Sequence, residues 1–218
     1  MSFDRLAPHY TWMERVLAGQ RLQRCRVTWL DALAGCDDIL IAGVGHGHFL
    51  RACVQRFPEA RITAVDASAG MLRHAAQGAK AVGGHAERLN FVQAKLPEWT
   101  PPANAYDAIV THFFLDCFPA EDLRRVVAAL AGAARPRAVW LISDFAVPLH
   151  GLARFRAHAV HKLMYAFFRR VTRIAARKLT DPDPYLIARG FRLSGRASAN
   201  WGLLRADHWR QSTPEPAT

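Results

Sequence analysis

Three glycines at alternate positions stand in the stretch Ile39-Leu40-Ile41-Ala42-Gly43-Val44-Gly45-His46-Gly47-His48-Phe49-Leu50. Their spacing points to ligand binding, because glycine takes left-handed turns and lets a ligand approach where a Cβ would otherwise stand. The apolar run before Gly43 fits a strand buried on both faces. The apolar pattern after Gly47 fits a helix, whose free N–H groups would face the ligand. A carboxylate, Asp66, closes a second β-branched run, Arg61-Ile62-Thr63-Ala64-Val65-Asp66, 21 residues beyond Gly45. Strand, glycine turn, helix, strand and acid make a βαβ nucleotide unit, in which the acid accepts hydrogen bonds from ribose hydroxyls.

Fewer residues suit proton chemistry. His112 follows a fourth apolar run and has an ordinary pKa close to neutral pH, as a general base requires. A ring packed against a strand end explains it equally well. Asp116 suits either orienting a substrate or His112, or capping the next turn. Tyr10 and His9 lie near an N-terminal apolar stripe, to which Tyr10 belongs. His46 and His48 in the glycine loop read as exposed. No two histidines have zinc-protease spacing, so no metal is expected. The four cysteines, Cys25, Cys36, Cys53 and Cys117, include no C-x-x-C pair and read as buried free thiols.

Alternating strands and helices must position these groups. Residues 3–34 carry two helical stripes, Leu6, Tyr10, Met13, Val16 and Leu17, then Leu22, Val27, Leu30 and Leu33, broken near Ala18-Gly19. After the glycine loop a helix runs to Pro58, and after Asp66 another, with Met71, Leu72 and Ala75 inward, closes at Gly83-Gly84. Leu89–Gln93 and Tyr106–Thr111 read as the third and fourth strands. A helix over 120–134 leads through Pro136 to a fifth strand, Ala138–Phe145. Residues 151–179 form one long helical pattern without an acid, in which Val160, Leu163, Met164, Phe167, Phe168, Val171, Ile174 and Ala175 make an apolar face opposite Lys162, Arg169, Arg170, Arg173 and Arg177. A short helix then ends at Gly190, and two β-rich runs, 191–197 and 202–209, finish an open parallel sheet as an antiparallel edge pair.

At 218 residues the chain suits one α/β domain, and its hydrophobic fraction of 51% is that of a folded protein. Residues 211–218 read as a disordered tail. The net charge of +11 attracts phosphates, yet only four of the basic residues are Lys, which fits arginine-rich codon usage, and a solvated basic surface suffices. With neither a basic leader nor an apolar stretch of bilayer length, the expected location is the cytoplasm.

The spacing G-x-G-x-G, with His48 where a dehydrogenase has its third glycine, resembles the class I S-adenosylmethionine-dependent methyltransferases. The resemblance runs from the first helices to about Trp209. Asp66-Ala67-Ser68-Ala69-Gly70-Met71-Leu72 is similar to that family's acid-x-Ser-x-x-Met-Leu stretch. Tyr106–Thr111 resembles its fourth-strand motif, and Phe3-Asp4-Arg5-Leu6-Ala7-Pro8-His9-Tyr10 the opening of its small-molecule and quinone members. The resemblance implies a Rossmann-like α/β fold with a seven-stranded, mostly parallel sheet, an antiparallel edge strand and helices on both faces. It implies one domain over 1–210, with residues 1–35 as a helical lid and 151–179 as a helical cap. The cofactor would be S-adenosyl-L-methionine, held by Gly43, Gly45, Gly47, Asp66, Ala67, Met71, Ala94, Lys95 and Thr111. Methyl would pass to a small, aromatic or otherwise apolar acceptor, with His112 and Tyr10 as catalytic candidates and Asp116, Met164, Tyr165 and Phe168 lining the acceptor pocket.

Two positions depart from the family pattern: Ile41 stands where an acid usually organises the loop, and Lys95 where one usually meets the adenine. Methylation of RNA or protein is an alternative favoured by charge alone, since Thr111-His112-Phe113-Phe114 lacks the Asn/Asp-Pro-Pro-aromatic motif. A non-enzymatic S-adenosylmethionine-binding sensor is another. The basic amphipathic segment also suits ordinary core packing, a substrate lid or, least well, peripheral membrane contact.

Overall fold

In the computed structural model, residues 20–148, 151, 154–157 and 179–212 are described. A seven-stranded sheet forms the middle layer: β1 (Asp38–Ala42), β2 (Arg61–Asp66), β3 (Leu89–Gln93), β4 (Tyr106–His112), β5 (Ala134–Phe145), β6 (Phe191–Ala199) and β7 (Leu204–Gln211), in the order β3-β2-β1-β4-β5-β7-β6. The first five strands are parallel, and β7 runs antiparallel between β5 and β6. The expected sheet is therefore present. Strand order reverses between β1 and β4, and the crevice at the carboxyl ends of these two strands is where open α/β sheets bind ligands.

The pleat sorts β1 onto two cores. Ile39 and Ile41 join Phe49, Leu50, Cys53 and Val54 of α2 (His48–Arg56) and Leu72, Ala75 and Ala79 of α3 (Ala69–Ala81) on one face. Leu40 and Ala42 face Leu123, Val126, Val127 and Leu130 of α4 (Ala120–Ala133) on the other. An apolar run without polar alternation is what a strand covered on both faces requires. Ile41 is thus a core residue at 3% exposure, bracketed in register by Ala64 and Val110.

Some expected boundaries move. The described part of the N-terminal segment is a helix, α1 (Gln20–Val27), followed by a 3-10 turn, Leu30–Leu33. Leu22 and Cys25 of α1 pack on Leu204 and Ala206 of β7, and Ser143 Oγ of β5 donates to the Cys25 carbonyl at 3.0 Å. β5 begins at Ala134, four residues before the expected start, because Ala134 pairs with Tyr106 across a register shift. Arg137, at φ +68°, absorbs the irregularity. Asp107, inside the shifted segment, binds Arg135 at 2.9 Å and accepts the N–H groups of Asp37 and Asp38. Residues 154–157 are helical, as is Gly151, while 158–178 of the expected cap lie outside the described residues. The short helix before Gly190 is α5 (Asp183–Ile187).

Candidate active site

The glycine loop leaves β1 and reaches α2 in five residues, all three glycines with positive φ: +75° at Gly43, +53° at Gly45 and +73° at Gly47. The three serve different ends. A Cβ on Gly43 would stand 2.3 Å from Cδ2 of Phe114, whereas one on Gly47 would stand 2.8 Å from the Ala75 Cα in α3. Nothing lies within 4 Å of the corresponding position on Gly45. Gly47 therefore serves helix packing, and Gly45 leaves open space above the loop.

Asp66 ends β2 opposite the loop. Its Oδ2 accepts the Gly45 N–H and its Oδ1 the Ser68 N–H, each at 2.9 Å. Ser68 then caps α3 by accepting the Met71 N–H at 3.2 Å. Burial pushes the Asp66 carboxyl above its usual range, opposed by those N–H donors and by His46. A carboxylate offers roughly four acceptor sites. The backbone N–H groups of Gly45, Ser68 and Ala67 leave room for a ribose hydroxyl, and a hydroxyl donor there would offset the cost of burial. These residues fit an adenosyl ligand.

The other expected cofactor residues fall unevenly. Ala67 adjoins Asp66, its carbonyl taking a hydrogen bond from Gln93 Nε2 at 3.4 Å, and Met71 is buried in the first turn of α3. Ala94 follows β3 and donates its N–H to the Asp66 carbonyl at 3.1 Å. The Lys95 ammonium is exposed and pairs with Glu98 at 2.7 Å. Thr111 is fully buried, in register with Ala42 and Ile142, and its hydroxyl accepts the Trp140 indole N–H at 3.0 Å. His46 and His48 are half-buried rather than exposed: Arg51 holds the His48 ring at 2.7 Å, and the His46 ring lies 5.7 Å from that of His74. Among the described residues no group of side chains can hold a metal ion. All four cysteines are free, Cys25 and Cys53 buried and the other two half-buried.

Across the crevice, β4 ends at His112. Its ring meets Phe49 edge-on at 4.4 Å and its Nδ1 is buried without a partner. Burial, aided by the charge of Arg26, holds its pKa well below the usual value, so the imidazole is neutral. Phe113 then takes φ +52°, an uncommon left-handed conformation for a large residue, and the Phe114 ring falls across Gly43. A 3-10 turn, Leu115–Cys117, carries Asp116 to the end of β5, where its N–H donates to Asp144 Oδ2 at 3.2 Å. Sequence reasoning missed Asp144 and Phe114. Asp144 was legible as an acid closing an otherwise apolar strand, but nothing in the sequence marked Phe114. Tyr10, Met164, Tyr165 and Phe168 lie outside the described residues.

A doubly wound sheet opened at its switch point by a glycine loop and a ribose-type acid defines a nucleotide-binding α/β protein. A family model described as a methyltransferase domain matches residues 39–137. The chain is 38% identical over 121 residues to a trans-aconitate 2-methyltransferase of Streptomyces avermitilis, covering 54% of this chain and 43% of that one. It is 29% identical over 167 residues to a ubiquinone/menaquinone biosynthesis C-methyltransferase of Syntrophotalea carbinolica, covering 74% and 68%. The solved magnesium protoporphyrin IX methyltransferase of Synechocystis, crystallised with S-adenosylhomocysteine, superposes with a TM-score of 0.64 at 24% identity, over 90% of this chain and 84% of that one. The chain spans only 32% and 43% of the first two trans-aconitate methyltransferases it matches. The chain is thus similar to methyltransferases over 39–137 and shares the fold of the solved magnesium protoporphyrin IX methyltransferase.

Proposed function

We propose that this protein binds S-adenosyl-L-methionine between the 43–47 loop and Asp66 and transfers its methyl group to a small, aromatic or otherwise apolar acceptor. The observation that carries this reading is the bond from the Gly45 N–H to Asp66 Oδ2 at 2.9 Å, which fixes an open glycine turn against a ribose-type acid at the switch point. The sulfonium brings an activated methyl group, so the chain's own task is to hold and align. Asp66 would bind the ribose, Met71 and the 94–95 backbone the adenine side, and the loop the methionine side. Ile41 supplies no carboxylate there. The relatives are named for trans-aconitate and for ubiquinone/menaquinone biosynthesis, which supports a small acceptor. The N-terminal segment with Tyr10 and the 151–179 segment with Met164, Tyr165 and Phe168 would roof the acceptor, within one domain spanning 1–210. Among the described residues no helix is long and apolar enough to cross a membrane, and the cytoplasm is the expected location.

Calorimetry with S-adenosylhomocysteine tests the reading. Micromolar or tighter binding is expected for the intact protein. Asp66→Ala should weaken it by about 100-fold, since hydrogen bonds to a charged group are worth about 1.5–3 kcal/mol each. No binding to the intact protein overturns the proposal.

A further inference from the structure

The turn between β6 and β7 holds a tryptophan out of the protein. Asn200, Trp201 and Gly202 all take left-handed φ angles, +54°, +58° and +76°, and Trp201 is 75% exposed. That conformation is uncommon for a bulky residue and persists only where the surroundings fix it. Here three elements do. Arg21 of α1 donates to Asn200 Oδ1 at 3.3 Å, and Arg156, in the helical residues 154–157, donates to the same oxygen at 3.0 Å and to the Asn200 carbonyl at 3.2 Å. The chain after β5 is the third: the Ala146 N–H donates to the Leu203 carbonyl at 2.9 Å, and a Cβ on Gly202 would stand 2.8 Å from Pro148 Cγ. Arg156 also lies over the Trp201 ring, 5.5 Å from its centroid, and Phe155 beside it in the chain is 78% exposed. Leu204 pairs with Phe145, the last residue of β5. The turn therefore projects beyond the carboxyl ends of the parallel strands, at the end of the sheet that holds the glycine loop and Asp66.

Beside the turn, a groove of about 250 Å³ between α1 and the β6–β7 pair is lined by Arg21, Arg24, Thr28, Ala199 and Asn200. Among the described residues neither arginine pairs with a carboxylate; Arg24 meets only Gln20 Oε1, at 3.4 Å. No acid occurs in 20–27, 145–148, 154–157 or 197–203, the segments that build this edge, whereas Arg21, Arg24, Arg26, Arg154 and Arg156 do. The nearby acids Asp181, Asp183 and Asp207 are taken up by Arg196 and Arg205. These two arginines alternate along β6 and β7 with Ala197, Leu204 and Ala206, which pack on α1, and so point to the other face of the sheet.

We propose that this edge docks on an anionic lipid bilayer, with Trp201 and Phe155 entering the interface and Arg21, Arg24 and Arg156 on lipid phosphates. The charge is complementary, since each arginine near an anionic bilayer raises affinity about 5-fold. An indole ring settles where headgroups meet acyl chains, having an apolar body and a polar N–H. Docked in this way, the carboxyl end of the sheet, with its crevice, faces the lipid. A nucleic acid would meet the same arginines, but the groove has room for one headgroup and not for a run of nucleotides. A second copy of the chain would bring arginine against arginine.

Co-sedimentation of the full chain with vesicles decides this. The protein should bind vesicles of equimolar phosphatidylglycerol and phosphatidylcholine at low salt, come off as salt is raised, and leave phosphatidylcholine alone unbound. Arg21→Gln and Arg24→Gln should each weaken binding about 5-fold. Trp201→Ala should weaken it about 10-fold or more, and Trp201→Phe should recover part of that loss. Lipids brominated on the acyl chain should quench part of the tryptophan fluorescence, and Trp201→Phe should abolish that quenching. All four variants alter exposed side chains, so each should keep a urea midpoint and an S-adenosylhomocysteine affinity close to those of the intact protein. No binding to the anionic vesicles, equal binding to the neutral ones, or binding that none of the variants weakens overturns the proposal. So does RNA binding that falls in these variants while vesicles stay unbound. None of these outcomes touches the methyl-transfer reading, which calorimetry with S-adenosylhomocysteine tests by itself.

Discussion

Each glycine of the loop meets a different neighbour, so the same substitution should have three different effects. An alanine at any of them carries the left-handed penalty of roughly 1–2 kcal/mol. Gly43→Ala adds a clash with Cδ2, Cγ and Cβ of Phe114, the root of a ring fixed close to its own backbone; Gly47→Ala adds one with the Ala75 backbone. Gly45→Ala adds none. In urea denaturation Gly43→Ala and Gly47→Ala are therefore both expected to be clearly less stable than Gly45→Ala. In calorimetry with S-adenosylhomocysteine the sense reverses at Gly45, where the methyl would occupy the space above the loop: Gly45→Ala should lose affinity at little cost in folding. Phe114→Ala in the Gly43→Ala background should recover the steric part of the loss and leave the backbone part. Equal stability and equal affinity across the three single variants would refute this division of roles.

The elements that hold the site are themselves held by charges invisible to a hydropathy pattern. Asp207 of β7, fully buried, takes both Arg196 Nε of β6 and Arg196 Nη2, at 2.7 and 2.8 Å, while Arg196 and Arg205 reach Asp183 at the start of α5. The network ties the antiparallel edge pair to the point where the chain returns to the sheet after 151–179. Without Asp207 both arginines keep Asp183 but lose the hydrogen bonds to the buried carboxylate, so Asp207→Ala should cost about 1.5–3 kcal/mol in urea denaturation. The same variant should retain S-adenosylhomocysteine affinity in its folded fraction; stability within about 0.5 kcal/mol of the intact protein, the range of an ordinary surface substitution, would remove the network from the account. Periodicity made most of the elements legible, since both cores depend on apolar faces that a strand or helix must repeat. It failed at Ala134, where a local register shift starts the strand early, and at Asp144, whose role depends on Asp116 across two strands. The glycine loop and Asp66 were readable because backbone geometry constrains the residue type there. Phe114 was not, because its place follows from a φ at Phe113 that no local pattern requires.

At the scale of the whole molecule, charge and burial act in opposite senses on stability. The formal net charge of +11 counts every carboxyl as ionised, whereas burial pushes the carboxyls of Asp116 and Asp144 above their usual range. Both of these carboxyls are raised by burial, so between the unfolded value near 4 and the folded value the native state holds protons that the unfolded chain has released. Stability from these two groups is full below about pH 4 and declines as pH rises through about 6 and beyond. His112 works the other way. Its pKa is lowered, so below about 6.5 the unfolded chain gains a proton that the native state refuses, and stability falls as pH falls. Asp38 and Asp183, lowered by their arginine partners, lose their contribution only in stronger acid. Asp144→Asn isolates the first of these effects, because an amide of nearly the same shape cannot ionise and its oxygen can still accept the Asp116 N–H. Its urea midpoint should match that of the intact protein at pH 4 and exceed it increasingly toward pH 8, where the intact chain must keep a second buried carboxyl from ionising. A difference that stays constant from pH 4 to 8 would mean that the two carboxyls ionise alike in the folded and unfolded chain.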